Sequence, residues 1–272
     1  MILRKILIVV MLALSAFLVA VPGFAAQEPA AAAAGPQTDA KAVLMRAADF
    51  LAQAKQFSVS IHAGYDVVQE SGQKIEFGES RKLTLVRPDR IRVDVERSDG
   101  DKALVLFDGQ ELTVYSPKDK VFARAAKPGD LDQAIVFLLK DLQLRLPLAM
   151  MFVSKLPMVL ERRVVSADAV EQDSIMDVPC THLAVRAQEV DFQIWIPTQG
   201  DPLPRRVVIT YKKAEGQPQF WANFSEWNLS PNPPQDFFAF TAPEGVQRIP
   251  FLAELQVAKP APVKKAKKGG KK

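Results

Sequence analysis

Alternation of apolar and polar residues from Phe57 onward constrains the fold more than any other feature of this sequence. Between Phe57 and Val67 the odd-numbered residues are apolar or tyrosine, whereas most even-numbered residues are polar. This period of two is typical of an antiparallel strand with one buried face. Turn signals such as Ser98-Asp99-Gly100 and Asp108-Gly109 separate further strand-like runs. The pattern predicts a mainly β (α+β) fold built on one large curved antiparallel sheet, and it disfavours a parallel nucleotide-binding sheet.

Two stretches of the chain depart from this strand pattern. Residues 41–56 place apolar side chains at helical spacing, which predicts an amphipathic first helix. Residues 131–163 are strongly apolar and begin with a helical period, and two prolines divide them into short helices. Because this second stretch is too apolar for an exposed connection, we expect its helices to pack on one side of the sheet.

The two ends of the chain have compositions of their own. Residues 1–25 combine a basic start, a short apolar run and small residues before a cleavage point, which predicts a secretory signal peptide. Residues 26–40 are predicted to be a flexible lead-in, 41–256 the folded domain, and 257–272 a disordered lysine-rich tail. The mature protein is therefore expected in a bacterial periplasm and not as an integral membrane protein.

Charge is distributed unevenly along the chain. The formal net charge is +4, but seven of the 35 basic residues are lysines between 259 and 272. Without these lysines and without Arg4 and Lys5, 26 basic residues face 31 acidic ones, a formal −5. A nucleic-acid partner is not expected, because such binding needs a basic face on the fold itself. The tail instead suggests contact with an anionic envelope surface.

Residues that commonly carry catalysis are scarce in this chain. Cys180 is the only cysteine, so no intramolecular disulfide is expected. Cys180 and His182 share a strand face and form the one candidate pair of nucleophile and base, without a visible third residue to orient them. His62 and His182 are the only histidines, which disfavours a metal site. We expect neither catalysis nor a cofactor.

Three stretches resemble, in the same order, signature segments of the periplasmic lipoprotein carrier LolA and its outer-membrane receptor relative LolB. They are LTLVRPDRIRVDV (83–95), LVLFDGQELTVYSPKDKVFAR (104–124) and FAFTAPEGV (238–246). The second half is also similar to a family of predicted periplasmic proteins of unknown function, through LPLAMMF, VDFQIWI, PLPRRVVITY and GQPQFWANFSEWN. The resemblance implies a half-open antiparallel barrel whose apolar concave face shelters acyl chains beneath a lid of helices.

The same resemblance implies a role for Arg87. In the carrier, the arginine of an Arg-Pro pair points inward and hydrogen-bonds to the lid, and Arg87-Pro88 is that pair here. The parity of Arg87 with Leu83 and Leu85 agrees with an inward position. A guanidinium at an apolar rim needs carbonyl or carboxylate acceptors, because a buried unpaired charge is very costly. The alternative is that Arg87 ends its strand with its charged head in water.

The candidate ligand site combines residues of the sheet with residues of the helical stretch. On the strands, the expected ligand-binding residues are Arg87, Leu83, Leu85, Ile91, Val93, Phe192, Ile194, Phe220 and Phe224. In the helical stretch, the expected lid residues are Ile135, Leu138, Leu139 and Leu142. Trp195, Trp221 and Trp227 have the opposite parity and are expected on the outer face of the sheet. Ordinary core packing is the alternative role for the inward aromatic residues.

Two functions are compatible with this sequence. The first is a periplasmic, non-enzymatic carrier for an apolar ligand, which would be an acyl chain, a lipid or a lipoprotein. The second is a structural or protein-interaction module of the cell envelope, with a fully packed sheet and no ligand. A cavity large enough for an alkyl chain distinguishes the two. The sequence specifies neither the cargo nor the oligomeric state.

Deleting residues 259–272 should abolish salt-sensitive binding of the mature protein to vesicles that contain anionic phospholipid. Each lysine near such a surface contributes about 1 kcal/mol, and salt weakens the attraction. Co-sedimentation with vesicles at low and high salt measures the effect, and vesicles of neutral lipid serve as the control. Unchanged binding after the deletion would contradict an electrostatic role of the tail.

Overall fold

The fold is visible in a computed structural model that describes residues 39–142, 144 and 146–251. Within them, twelve strands form one curved sheet that does not close into a barrel, accompanied by three α-helices and one 3₁₀ helix. The predicted fold class, mainly β with a half-open curved sheet and helices, is confirmed. The predicted signal peptide, all but the last two residues of the lead-in and the lysine-rich tail lie outside the described residues.

The elements follow one another in a simple order. The helices are α1 (Ala40–Gln53), α2 (Leu131–Lys140) and α3 (Leu156–Arg163), with the 3₁₀ helix Ala149–Phe152 between the last two. The strands are β1 (Gln56–Val68), β2 (Lys74–Val86), β3 (Arg90–Arg97), β4 (Lys102–Phe107), β5 (Glu111–Ser116), β6 (Val121–Ala126), β7 (Val164–Ile175), β8 (Val178–Ala187), β9 (Asp191–Pro197), β10 (Arg206–Thr210), β11 (Gln219–Asn228) and β12 (Gln247–Ile249).

Two antiparallel meanders share the sheet, in the strand order β12-β6-β5-β4-β3-β2-β1-β11-β10-β9-β8-β7. From β1 near the middle of the sheet, β2 to β6 are added one after another toward one edge. After α2, the 3₁₀ helix and α3, the chain resumes with β7 at the opposite edge, and β8 to β11 are added inward until β11 pairs with β1. The last strand departs from the antiparallel prediction, because β12 pairs parallel to β6. The helical stretch therefore lies between the two meanders in the chain.

Local sequence explains where the helices begin and end. The carboxylate of Asp39 caps α1 by accepting a hydrogen bond from the Ala42 amide, and α1 ends at Gln53 because β1 already begins at Gln56. The observed α1 is thus three residues shorter at its C-terminal end than the predicted helix 41–56. At its N-terminal end it includes Ala40, which the sequence analysis assigned to the lead-in. Pro157 lies in the first turn of α3, where a missing amide proton is tolerated.

The odd-numbered residues of β1 and β2 line the concave face, as their parity predicted. Phe57 lies opposite Leu85 and Val59 opposite Leu83 across the β1–β2 pair, and all four side chains are buried. Side chains of the sheet and of the helices form a single apolar cluster on this face. Most of the concave face is therefore filled by the protein's own residues.

Trp227 corrects one prediction about the aromatic residues. Ser58 pairs with Asn228 but Ser60 pairs with Ser225, so Glu226 and Trp227 both lie opposite one residue of β1. This bulge, in which Glu226 adopts a φ of 54°, reverses the parity of the strand end. Trp227 consequently packs against the ring of Phe57 at 5.5 Å on the concave side instead of the outer face.

Trp195 and Trp221 lie on the outer face, at the parity that predicted them there. The ring of Trp195 stacks on His182 at 4.0 Å, and that of Trp221 meets His62 edge to face at 5.4 Å. The guanidinium of Arg206 lies 5.6 Å from both indole rings. These contacts join β8, β9, β10, β11 and β1 across the outer face.

Replacing Trp227 with alanine should lower the free energy of unfolding by about 3 kcal/mol, because the indole packs between core aromatic rings. Trp221→Ala is the matched control on the same strand, and a loss of about 1 kcal/mol is expected for that outer-face position. Urea titrations of both variants measure the difference. Equal losses would contradict the parity reversal.

Candidate functional site

An apolar cavity of about 180 Å³ lies between α1, β9–β10 and the stretch from the 3₁₀ helix to α3. We call residues 146–163, which include the 3₁₀ helix and α3, the covering segment. Ala48 of α1, Met151 and Val159 of the covering segment, and Phe192 and Ile209 of the sheet are among the lining residues. All lining residues have apolar side chains. The cavity is thus an apolar space between the sheet and the helices above it.

The size of this cavity limits what it can hold in the observed arrangement. An apolar cavity of about 150 Å³ stays free of water and can bind benzene, so the present one accommodates about six carbon atoms. Pockets for larger organic ligands typically measure about 300–1,000 Å³. Met150 and Met151 lie on the covering side, where their flexible side chains allow the cavity to change shape.

Two of the predicted ligand-binding residues, Phe192 and Ile194, line the cavity. The predicted residues on β2, β3 and β11 do not line it, because that part of the concave face is filled. Buried residues of this group belong to the closed apolar cluster, and they are Leu83, Leu85, Ile91, Phe220 and Phe224. Val93 packs against the same cluster as a partly buried residue.

The predicted lid residues, which lie on α2 and just after it, do not line the cavity either. Ile135, Leu138 and Leu142 are buried in the core cluster, and Leu139 packs against it. The helices that cover the cavity are α1 and α3, of which α3 belongs to the helical stretch 131–163 predicted as the lid, whereas α1 was not predicted as a lid element. One sequence signal marks the position of the cavity. Ala47 and Ala48 stand on the buried face of α1, where short side chains leave space unfilled.

Arg87 joins three elements through its guanidinium. Nε donates to the carbonyl oxygen of Ala54 at 3.1 Å, and an Nη atom donates to Phe152 at 2.9 Å and to Leu51 at 3.5 Å. The carboxylate of Asp132 lies 3.9 Å from the other Nη atom. Only 14% of the Arg87 side chain is exposed, so the alternative of a head in open water does not describe its position.

Asp132 extends this junction to the covering segment. Its carboxylate accepts hydrogen bonds from the amide of Ser154 at 2.8 Å and from the hydroxyl of Ser154 at 2.6 Å. Burial lowers the pKa of Arg87, and the negative charge of Asp132 opposes that shift. The guanidinium stays charged, since arginine is not deprotonated in proteins. The end of α1, the start of α2 and the covering segment therefore meet at one buried charge.

Cys180 and His182 do not form an activated pair. The Cys180 thiol is buried and donates to the carbonyl of Val178 at 3.3 Å, and its burial raises its pKa, which disfavours the reactive thiolate. His182 stacks on Trp195, and its Nε2 lies 2.9 Å from the side-chain oxygen of Gln193. These contacts give both residues packing roles on β8.

His62 and His182 stand on β1 and β8, and no group of three His, Cys, Asp or Glu residues in the described part of the chain is placed to hold a metal ion. No helix among residues 39–142, 144 and 146–251 is long and apolar enough to cross a membrane.

The family model of predicted periplasmic proteins, DUF2092, matches residues 40–252. The chain belongs to the DUF2092 family. This match covers most of the chain and confirms the resemblance to predicted periplasmic proteins that the second-half motifs indicated. No curated protein matches the sequence of this DUF2092 member significantly.

Several solved structures are similar to the DUF2092 chain. LppX of Mycobacterium tuberculosis is 15% identical, with a TM-score of 0.43 over 71% of this chain and 96% of LppX. LprF from Mycobacterium bovis is 11% identical, with a TM-score of 0.44 over 74% of this chain and 99% of LprF. A LolA superfamily protein from Nitrosomonas europaea is 12% identical, with a TM-score of 0.36 over 73% of this chain and 96% of the other.

Replacing Arg87 with methionine should lower the free energy of unfolding by about 2 kcal/mol, because carbonyl groups of α1 and the 3₁₀ helix lose a charged donor. Amides of the covering segment should also exchange hydrogen faster. Arg90→Met, at an exposed neighbouring position, is the control. Hydrogen exchange followed by mass spectrometry measures both variants, and unchanged exchange in residues 146–163 of Arg87→Met would contradict the role of this junction.

Proposed function

We propose that this DUF2092 protein is a periplasmic carrier that binds an alkyl chain of a lipid or lipid-bearing molecule, without catalysing a reaction. The observation that carries the proposal is the apolar cavity of about 180 Å³ between α1, the covering segment and β9–β10. Its lining offers no polar side chain for orienting a reactive group, but it matches the chemistry of a hydrocarbon. The membership of a periplasmic family agrees with a lipid or lipoprotein of the envelope as the source of that chain.

The free energy available from the observed cavity is enough to bind only part of such a ligand. Burying about six methylene groups at roughly 0.8 kcal/mol each stabilises a complex by about 5 kcal/mol. This corresponds to a Kd on the order of 0.1–1 mM, before the costs of association are subtracted. A cargo that binds more tightly needs additional apolar surface, and the proposal therefore includes a movement of the covering segment.

In the proposed carrier, Arg87 controls that movement. Its contacts with Ala54 and Leu51 are made to α1, whereas the contact with Phe152 is made to the covering segment. Lifting the 3₁₀ helix breaks the Phe152 contact but leaves the guanidinium with its other acceptors. In the proposed carrier, Arg87 thus favours the closed state without making the open state prohibitively costly.

Replacing Ala48 with leucine should fill the cavity and reduce alkyl-chain binding at least tenfold, with an unchanged or higher unfolding temperature. Ala42→Leu introduces the same side chain at an exposed position of α1 and is the matched control. Native mass spectrometry of the mature protein, purified from the periplasm and then incubated with envelope lipids, measures the bound mass. Equal lipid adducts in both variants would show that the ligand binds elsewhere.

An envelope interaction module is the second candidate. One observation favours it: β7 is an edge strand of the sheet that exposes Val165 by 73% and Val170 by 53%. Exposed apolar edges are surfaces to which other chains can add a strand. A mature protein that shows only the polypeptide mass, before and after incubation with envelope lipids, would overturn the carrier and leave this module as the function.

A further inference from the structure

The concave face continues beyond the covering segment as an exposed apolar surface. Tyr65 and Val67 of β1 lie opposite Phe77 and Ile75 of β2, and we call these four residues the hairpin strip. Val67, Ile75 and Phe77 are exposed by 38%, 39% and 42%, although they share the parity of the buried core residues. The rings of Tyr65 and Phe77 stack at 6.0 Å. Within the part of the chain that the structure describes, the strip is therefore a preformed apolar surface that no element covers.

The hairpin strip is continuous with the cavity along one row of the sheet. Ile209, which lines the cavity, pairs with Phe220, Phe220 pairs with Tyr65, and Tyr65 pairs with Phe77. The row crosses three strand spacings, a distance of roughly 14 Å. Only Phe220, at the middle of the row, is fully buried between the two apolar surfaces.

Arg81 covers that middle position. Its guanidinium lies 5.7 Å from the centre of the Phe220 ring, and it forms an ion pair with the buried carboxylate of Glu79. One Nη atom donates to the carbonyl of Pro147 in the covering segment at 3.3 Å. Nε of Arg81 is buried and has no hydrogen-bond partner among the described residues. The ion pair of Arg81 and Glu79 thus lies between the cavity and the hairpin strip. The guanidinium of Arg81 does not use all of its hydrogen-bond donors there.

The two ends of the 3₁₀ region are held unequally. At Phe152, Arg87 provides a hydrogen bond of 2.9 Å supported by further contacts, whereas at Pro147 the hydrogen bond from Arg81 is longer, at 3.3 Å. Leu148, next to Pro147, has a φ of 72°, which is a strained conformation for a bulky residue. Movement that starts at the Pro147 end gives up the weaker contact and allows Leu148 to relax.

We propose that the hairpin strip is the second half of the ligand site, occupied by the part of an alkyl chain that the cavity cannot hold, and that Arg81 and Glu79 form the gate between the two halves. This inference rests on the proposed carrier function. The cavity accommodates about six carbons, and a longer chain leaving it at Ile209 reaches the strip once Arg81 turns away from Phe220. The ligand class is a linear alkyl chain longer than six carbons.

A chain-length series tests the strip. For alkanoic acids of four to fourteen carbons, titrated below their micelle-forming concentrations and followed by NMR, Kd of the wild type should fall about fourfold per methylene up to six carbons, where the chain lies inside the cavity. Beyond six carbons it should fall about twofold per methylene, because an open strip covers one side of the chain. In Ile75→Ser/Phe77→Ser, Kd for hexanoate should be unchanged, whereas Kd for dodecanoate should rise more than tenfold.

The control and the contrary outcomes separate the two proposals. Lys82→Ser, at an exposed outer-face position of β2, should change neither Kd. An unchanged Kd for dodecanoate in Ile75→Ser/Phe77→Ser would overturn the strip while leaving the cavity intact. If the wild type binds neither hexanoate nor dodecanoate, or if Ala48→Leu leaves hexanoate binding unchanged, the carrier function itself fails.

A double variant tests the gate. Glu79→Leu/Arg81→Met removes both charges together, so that no unpaired charge is left buried. The association rate of dodecanoate, measured by stopped-flow tryptophan fluorescence, should rise at least fivefold, with an unchanged Kd for hexanoate. A thermal unfolding scan verifies that the variant is folded. A folded double variant with wild-type association rates would overturn the gate.

Discussion

The arrangement above the sheet depends on the buried guanidinium of Arg87. A charge that is 14% exposed has to be surrounded by acceptors, and here they come from the end of α1, from the 3₁₀ helix and from Asp132 at the start of α2. Because these elements are separated in sequence, the need to satisfy one side chain brings them together. The covering segment is held above β9 and β10 as a result, and the cavity lies beneath it.

Side-chain size then determines which part of the concave face stays empty. Over β1 and β2, large side chains such as Phe57 and Leu85 meet the helices and are completely buried. Over β9 and β10, α1 presents Ala47 and Ala48, whose short side chains line the cavity. The same fold therefore contains a packed core and an unfilled space side by side. This difference, more than the curvature of the sheet, distinguishes a binding protein from a packed module.

The sequence predicted the architecture better than the site. Strict alternation identified the inward positions of Leu83, Leu85 and Arg87, because a strand's period of two is a local property. Trp227 was misplaced because a bulge at Glu226 shifts the parity, and such an insertion shows only in the pairing with β1. The cavity could not be located from apolar pattern alone, since a residue that lines a void and a residue that fills the core have the same hydrophobicity. Leu138 and Phe192 illustrate this: the first is core and the second lines the cavity.

The most direct measurement of the central claim is the position of a bound hydrocarbon. Crystals of the mature protein grown with 6-bromohexanoate, measured at the bromine absorption edge, locate the end of the alkyl chain by anomalous scattering. The account predicts a bromine peak between α1, the covering segment and β9–β10, in contact with Ala48 and Ile209. Bromine peaks only on the outer surface, with the cavity empty, would contradict it.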